Sequence, residues 1–475
     1  MSSVAAIDLG ATSGRVIVGG LADGEIRLRH VARFPNVPVR VSDGLHWDVL
    51  SLYSAAMRGL GEASRADHDL VGVAVDSWAV DYGLLRGASL LGNPFHYRDA
   101  RNEGGVAAVH AVVGPEELFR RNGLQHLPFN TLFQLAAAAA AGDLDGAEHL
   151  LLIPDLVGYW ATGQRVAERT NASTTGLLPV GGADWDYELL PRLGLRRGLL
   201  PPVVEPGTVL GPPDPVVREE FGIAPGVRFS TVGSHDTASA VVGVPMTEDD
   251  AVYISCGTWS LVGAELPSPV TSEEARRAGF TNEGGVDGRT RFLKNVMGLW
   301  LLSESVRAWE KVGEQQELGT LLQQAAEAPA DVPTFDANHP SLLPPGDMPS
   351  RIERLLLEQG SRVPATIPEF VRGVLQSLAN AYAEAVRDIE RLTGRAVRTV
   401  HLVGGGAQNA LLCRLTADTV GVPVVAGPVE ATAIGNLLVQ ARTHGLISGD
   451  LEALRAVTAR SFPPRTYAVR TSTRG

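Results

Sequence analysis

The sequence predicts an α/β fold in two domains, and three observations carry the prediction. Its 475 residues exceed what one hydrophobic core usually serves. Apolar residues make up 44% and charged residues 20%, with enough Gly and Pro for many short connections, the composition of a soluble α/β enzyme. A strand, glycine turn, strand pattern at the start of the chain returns near Ala251, as Val252–Ser255, Gly257 and Trp259–Leu266.

The opening reads as a three-strand meander, Val4–Leu9, Arg15–Gly19 and Ile26–Phe34, divided by Gly and Asp-Gly turns. A helix over about Asp48–Glu62 follows from apolar Val49, Leu52, Ala56, Met57 and Leu60 at helical spacing. A buried strand, Leu70–Val75, then ends at Asp76. Ala136–Ala141 reads as part of an alanine-rich helix, and Phe229–Val232 as a strand before a helix beginning near Ala240. Pro329–Pro349, rich in Pro, Asp and Asn, is expected as a surface loop. Pro368–Thr393 is a core helix, with Phe370, Val374, Leu378 and Tyr382 four apart and Gly394 just beyond its end. Strand Thr399–Val403, a glycine turn, a helix, strand Val422–Ala426 and a helix after Glu430 imply parallel pairing.

This order resembles the ribonuclease-H-like half shared by actin, Hsp70 and the sugar kinases. The resemblance implies two such actin-like ATPase domains with a catalytic cleft between them: residues 1–245, residues 246–455, and a tail, 456–475, packing back on the first domain.

A formal charge of −12 without any Lys/Arg block argues against nucleic acid as a partner. Cys256 and Cys413 stand far apart without His at metal-ligand spacing, so neither a disulfide framework nor a zinc site is expected. The N-terminus lacks a basic region before its first apolar run, and no apolar run reaches membrane-spanning length. A cytoplasmic protein with no membrane partner, a monomer or small homo-oligomer, is the expectation.

Five sets of residues hold candidate chemistry. Asp8 to Arg15 puts an acid, hydroxyl residues and two glycines in a tight turn, where backbone N–H groups can converge on a phosphate and the acid can hold a metal through water. A plain hairpin turn explains the same residues. Ser234-His235-Asp236-Thr237 lies between a strand and a helix; Asp236 there can accept a hydroxyl proton, or Ser234 or Asp236 can merely cap the helix. Ser255 to Ser260, with Thr258, repeats the turn logic, and Gly404 to Asn409 suits a nucleotide or a bare helix start. Trp78, Asp81, Tyr82, His96, Arg98 and Asp99 combine aromatic faces with polar tips, as sugar recognition needs, and each is also an ordinary strand-end residue. There is no P-loop and no protein-kinase catalytic loop.

Taken in order, DLGATSGR (8–15), DSWAVDYGLL (76–85), YRDAR (97–101), LPFNTLFQL (127–135), ERTNASTT (168–175), SHDTASAV (234–241), SCGTWSL (255–261), TNEGG (281–285), LKNVMGLWLL (293–302), VGGGAQN (403–409) and AGPVEATAIGN (426–436) are similar to the FGGY carbohydrate kinases, in their rhamnulokinase branch. The resemblance implies ATP-dependent phosphorylation of the 1-hydroxyl of L-rhamnulose. It implies Asp236 as general base, and His235, Thr237 and Asn295 in the sugar pocket. Ala11, Thr12, Ser13, Gly14, Arg15 and Thr258 would contact ATP phosphates, Gly405 would lie by the adenosine, and Mg²⁺ would sit near Asp8. One departure stands out: Ala79 occupies a position where better-known relatives have Gly and where backbone approaches the sugar. Other ketoses, L-fuculose, L-ribulose or D-xylulose, are therefore alternatives. Two other classes share the architecture, a non-transferring ATPase like actin or Hsp70 and a catalytically idle sugar sensor; Asp236 beside a polyol pocket separates the kinase from both.

Overall fold

A computed structural model describes residues 2–248 and 250–470. They form two compact bodies. The first takes in the described residues of Met1–Pro245, Glu265–Phe292 and Ala431–Ser461, the second those of Met246–Ala264, Leu293–Glu430 and Phe462–Gly475. Each body is thus discontinuous, a feature that a reading in consecutive halves does not contain.

The first body is built on β1 (Ser3–Leu9), β2 (Ser13–Ala22), β3 (Glu25–Pro35), β4 (Leu70–Ser77), β5 (Val209–Gly211) and β6 (Arg228–Ser230), in the order β5-β6-β4-β1-β2-β3. β1 pairs antiparallel with β2 and parallel with β4, and the parallel register sets Asp8 beside Asp76. Every residue of β1 is buried, as the run of small and branched apolar side chains requires of a central strand. Helix Val49–Ala66 covers one face through Val49, Leu52, Ala56, Met57, Leu60 and Ala63, which join Ile7, Leu9, Val16 and Val73 in one apolar cluster. Asp48 starts it by accepting from the Ser51 N–H.

Helix Ala431–Thr443 also belongs to this body although it lies far along the chain. Its Gln440 Nε2 donates to the Ala5 carbonyl at 2.9 Å. Between β4 and β5, hairpins and helices form a further layer around Leu118, Phe133, Leu150, Trp185 and Leu189.

In the second body β7 (Ala251–Cys256), β8 (Trp259–Leu266, through Ala264), β9 (Thr290–Met297, from Leu293), β10 (Thr399–Val403), β11 (Val424–Ala426) and β12 (Arg465–Tyr467) run in the order β9-β8-β7-β10-β11-β12. β7 is antiparallel to β8 and parallel to β10, and β10 is parallel to β11. Helix Ile367–Thr393 buries Phe370, Val374, Leu378 and Tyr382 against this sheet's layer, and ends at Gly394 in the left-handed region.

Two expectations are corrected. Residues 329–349 are not a surface loop throughout: Phe335, Ala337, Leu342 and Met348 are buried, and the Phe335 N–H donates to Ser377 Oγ. Apolar residues among the prolines draw the strand-less segment onto helix Ile367–Thr393. The helix expected from Ala240 begins at Asp236, because its polar first turn is fixed by contacts distant in sequence.

Candidate active site

In the first body, the ends of β1 and β4 bring carboxylates together. Arg15, opposite Asp8 across the hairpin, pairs with it through Nε at 2.8 Å and Nη2 at 2.7 Å. Asp76 is wholly buried and takes a 2.5 Å hydrogen bond from Asn436 Nδ2 on Oδ2, while its Oδ1 has no hydrogen-bond partner. Burial, then the charge of Asp8, pushes the Asp76 carboxyl well above the ordinary carboxylate range. Asp236 adds a smaller push in the same direction, so the three acids share one electrostatic neighbourhood.

The turn at Ala11 to Ser13 is closed by the Gly10 N–H donating to the Ser13 carbonyl, and Asn36 braces it with its N–H on the Thr12 carbonyl and its amide on the Gly10 carbonyl. Thr12 is exposed, Ala11, Ser13 and Arg15 are half-buried, and Gly14 is buried beneath Phe34. The segment is a tight hairpin turn between β1 and β2.

Beside β4, the Ser77 N–H donates to the Ser234 carbonyl at 2.9 Å, and Ser77 forms a parallel bridge with His235. Sequence reasoning missed what fixes this segment. Buried Glu168 accepts from the Ser234 N–H (3.0 Å) and Oγ (2.7 Å), and from the Thr170 N–H (2.9 Å) and Oγ1 (2.6 Å). Burial raises its pKa, and these donors oppose the rise. Ser234 is thus spent on Glu168, and Asp236 is the first helical residue after His235, so neither side chain is the cap. Asp236 instead receives a hydrogen bond from Thr237 Oγ1 at 3.0 Å, with His235 Nε2 3.4 Å from its Oδ1. Its side chain is 31% exposed, against 4% for Asp8. A carboxylate so placed can take a proton from an incoming group; Asp76, with no exposure, cannot be reached.

The cluster around Trp78 serves a different end. Asp81 is wholly buried and accepts from Trp47 Nε1 (2.5 Å), Trp78 Nε1 (3.0 Å), Gln134 Nε2 (2.8 Å) and the Tyr97 N–H (3.2 Å). Burial pushes it up to about 7 against these donors. Trp47 stacks on His96 and packs on Trp78 at ring separations of 4.1 Å. Asp99 is taken up by the N–H groups of Leu45 and Arg101. These polar tips brace a wall from within; next to half-buried Ala79, Val80 sits at a φ of 70° with its carbonyl accepting from Thr131 Oγ1 at 2.7 Å.

In the second body, Gly257 and Thr258 turn between β7 and β8, their carbonyls accepting from the N–H groups of Leu299 and Trp300. A methyl on Gly298 would lie 2.6 Å from both carbonyl oxygens, so the two segments touch backbone to backbone. Gly404 has a φ of 79°, and a methyl there would meet the Cys256 carbonyl at 2.8 Å. The structure therefore brings the Thr258 turn and exposed Gly405 into one patch. Asn295 is half-buried on β9 in the same sheet. Cys256 is buried beneath them within 3.5 Å of Tyr382 Oη, and burial raises its thiol pKa. Among the described residues no helix is long and apolar enough to cross a membrane, and no group of three or more His, Cys, Asp or Glu could hold a metal ion by itself.

Comparison with known proteins matches residues 3–243 to the N-terminal domain, and 252–444 to the C-terminal domain, of the FGGY family of carbohydrate kinases. The rhamnulokinase of Pectobacterium atrosepticum is 40% identical over 99% of this chain and 94% of its own length. That of Enterococcus faecalis is 40% identical over 97% of this chain and 93% of its own. Among solved structures, a ligand-bound xylulose kinase from Lactobacillus acidophilus aligns over 99% of this chain and 94% of its own, with a TM-score of 0.82 at 16% identity. Plasmodium falciparum glycerol kinase with ADP covers 99% and 94%, with a TM-score of 0.79 at 13% identity. Likeness at this identity speaks for the two-domain α/β kinase fold, and the domain matches and full-length relatives settle the rest: the chain belongs to the FGGY family of carbohydrate kinases and is an ATP-dependent sugar kinase.

Proposed function

We propose that the sugar is L-rhamnulose and that the γ-phosphoryl group of ATP passes to its 1-hydroxyl, giving L-rhamnulose 1-phosphate and ADP. The observation that carries the mechanistic part is the half-open carboxylate of Asp236, braced by Thr237 and set on a segment locked to Glu168. The choice of sugar rests on rhamnulokinase relatives 40% identical over nearly the whole chain.

In this reading the hydroxyl oxygen bonds to the γ-phosphorus as the bond to the bridging oxygen breaks, and Asp236 takes the hydroxyl proton. His235, Thr237 and Asn295 hydrogen-bond the sugar. Ala11, Thr12, Ser13, Gly14 and Arg15 face the phosphates with Thr258, and Gly405 lets the adenosine approach backbone.

The residues present fit a magnesium ion held through water: Asp8 lies beside Asp76, whose Oδ1 has no hydrogen-bond partner, and Arg15 already balances the charge of Asp8. Mg²⁺ is usually held by one or two carboxylates with waters and substrate phosphates, which suits a place lacking a third protein ligand. Asp8 would hold it through water, and its chemistry would be to neutralise phosphate charge. A cytoplasmic monomer or small homo-oligomer in L-rhamnose catabolism completes the proposal.

The test is coupled ADP release with L-rhamnulose, L-fuculose, L-ribulose, D-xylulose and no sugar. L-Rhamnulose is expected to give the highest kcat/KM, and another ketose in first place would move the specificity, with Ala79 the first residue to examine. Asp236→Asn is expected to lower kcat by roughly 10²–10⁴ while ATP affinity stays, and wild-type turnover would defeat the general-base assignment.

A further inference from the structure

Resting on the reading of Asp236 as general base, we infer that Arg291 and Glu283 are positioning residues that fix the proton of His235 on Nε2, so that the imidazole donates toward Asp236 and steadies its carboxylate for the sugar hydroxyl. All these residues belong to the first body.

Arg291 is fully buried, and its Nη2 lies 3.1 Å from His235 Nδ1 and 3.0 Å from Glu283 Oε2. A guanidinium can only donate, so the Nη2 N–H hydrogen-bonded to His235 requires a lone pair on Nδ1, while Glu283 Oε2 accompanies the same nitrogen as an ion pair. The proton of the neutral ring then sits on Nε2, the nitrogen 3.4 Å from Asp236 Oδ1. That separation is slightly long for a hydrogen bond, and a small rotation of either side chain closes it.

The other tautomer would send Nδ1–H to Glu283 Oε2, 3.2 Å away. It would also set two N–H donors, of Arg291 and His235, against each other, and turn the Nε2 lone pair on the Asp236 carboxylate. Both contacts are repulsive. Glu283 acts through Arg291: a fully buried guanidinium needs a counter-charge, and removing one partner of such a pair leaves the other unpaired. Burial would raise the Glu283 carboxyl, and the charge of Arg291 holds it below its ordinary value instead. Arg291 Nε is anchored on the Gly284 carbonyl at 2.9 Å, so the fork has one orientation. With the backbone of Ser234 and His235 tied to Ser77 and Glu168, the ring is fixed along its backbone and at Nδ1, and only Nε2 faces the reacting carboxylate.

The experiment is a long-range ¹H–¹⁵N spectrum of the full-length enzyme carrying ¹⁵N-imidazole histidine, with the His235 signals identified by their loss in His235→Gln. Wild-type His235 is expected with its proton on Nε2. Arg291→Gln is expected to mix the tautomers and to lower kcat by about 10–100-fold with the KM for ATP unchanged, since a misplaced imidazole proton in a proton-transfer site costs rate rather than nucleotide binding. Glu283→Gln keeps the packing volume and gives a second arm should Arg291→Gln not fold; a kcat lowered by several-fold is expected, again with an unchanged KM for ATP. A proton on Nδ1 in the wild type, or folded variants of both residues with wild-type kcat, would overturn the inference. Such results beside an inactive Asp236→Asn would leave the general-base reading intact, whereas full turnover by Asp236→Asn would remove that reading whatever the tautomer.

Discussion

The two bodies carry the same sheet in two chemical versions. Each places its first strand antiparallel to the second and parallel to the fourth, and β1 and β7 occupy the same central place in their strand orders. The strand ends differ. In the first body, β1 and β4 end in Asp8 and Asp76, side by side in register. In the second, the paired ends are Ser255 and Val403, followed by Gly257 and Gly404. One body stores negative charge where its sheet opens, which suits a metal and a proton acceptor; the other presents bare backbone, which suits a phosphate or base approaching closely. A single scaffold thus ends in carboxylates in one body and in glycine backbone in the other, with no change in the strands themselves.

The largest expected effect tests the charge stored in the first body. Folded Asp81 keeps its proton up to about 7, whereas an unfolded Asp releases it near 4. Between those values each rise in pH favours the unfolded chain, so the stabilising contribution is complete at acid pH and is lost as pH climbs through about 7. The penalty is on the order of 4 kcal/mol by 1.4 kcal/mol per unit of pKa difference. Urea midpoints followed by tryptophan emission should therefore fall from pH 5 to pH 8, and Asp81→Asn should flatten that slope; a flat wild-type profile would break this side of the comparison.

The second body is sharpened by steric change. Gly298→Ala sets a methyl against two carbonyl oxygens and should destabilise this body by about 2–4 kcal/mol, the cost of overpacking backbone against backbone. The KM for ATP should rise and that for the sugar should not, as steady-state kinetics at saturating co-substrate will reveal. The smallest effect concerns Cys256. Its thiol is buried and its pKa raised, so iodoacetamide at neutral pH should leave Cys256 unmodified in the native enzyme, checked by peptide mass. Rapid labelling would mean that the turn above it opens.

Local pattern made the scaffold legible: β8 and β10 have the bounds that alternation and glycine turns predict, and the helix ending at Gly394 was marked by its proline and its apolar spacing. What local pattern could not carry was partnership at long sequence separation. Glu168 lies 66 residues from Ser234, and Asn436 lies 360 from Asp76. Asp81 has the look of a sugar-facing tip until Trp47 and Gln134 are seen to consume it. The same holds for Arg291, whose role depends on a histidine 56 positions away. Periodicity encodes which way a side chain faces, and only tertiary structure tells what it meets there.

Helix Ala431–Thr443 adds a matter of timing. Its Asn436 supplies the hydrogen bond to Asp76, its Gln440 engages β1, and its Gly435 seats against the Ser239 carbonyl. On the ribosome, strands β1 to β6 emerge long before this helix exists, so the nascent first body must wait with Asp76 unanswered and one face of its sheet uncovered. Chain growth at about 5–20 residues per second makes that wait many seconds. The acidic pocket is completed only when translation has passed residue 443, and a ribosome that stops earlier leaves a product without its finished carboxylate pair.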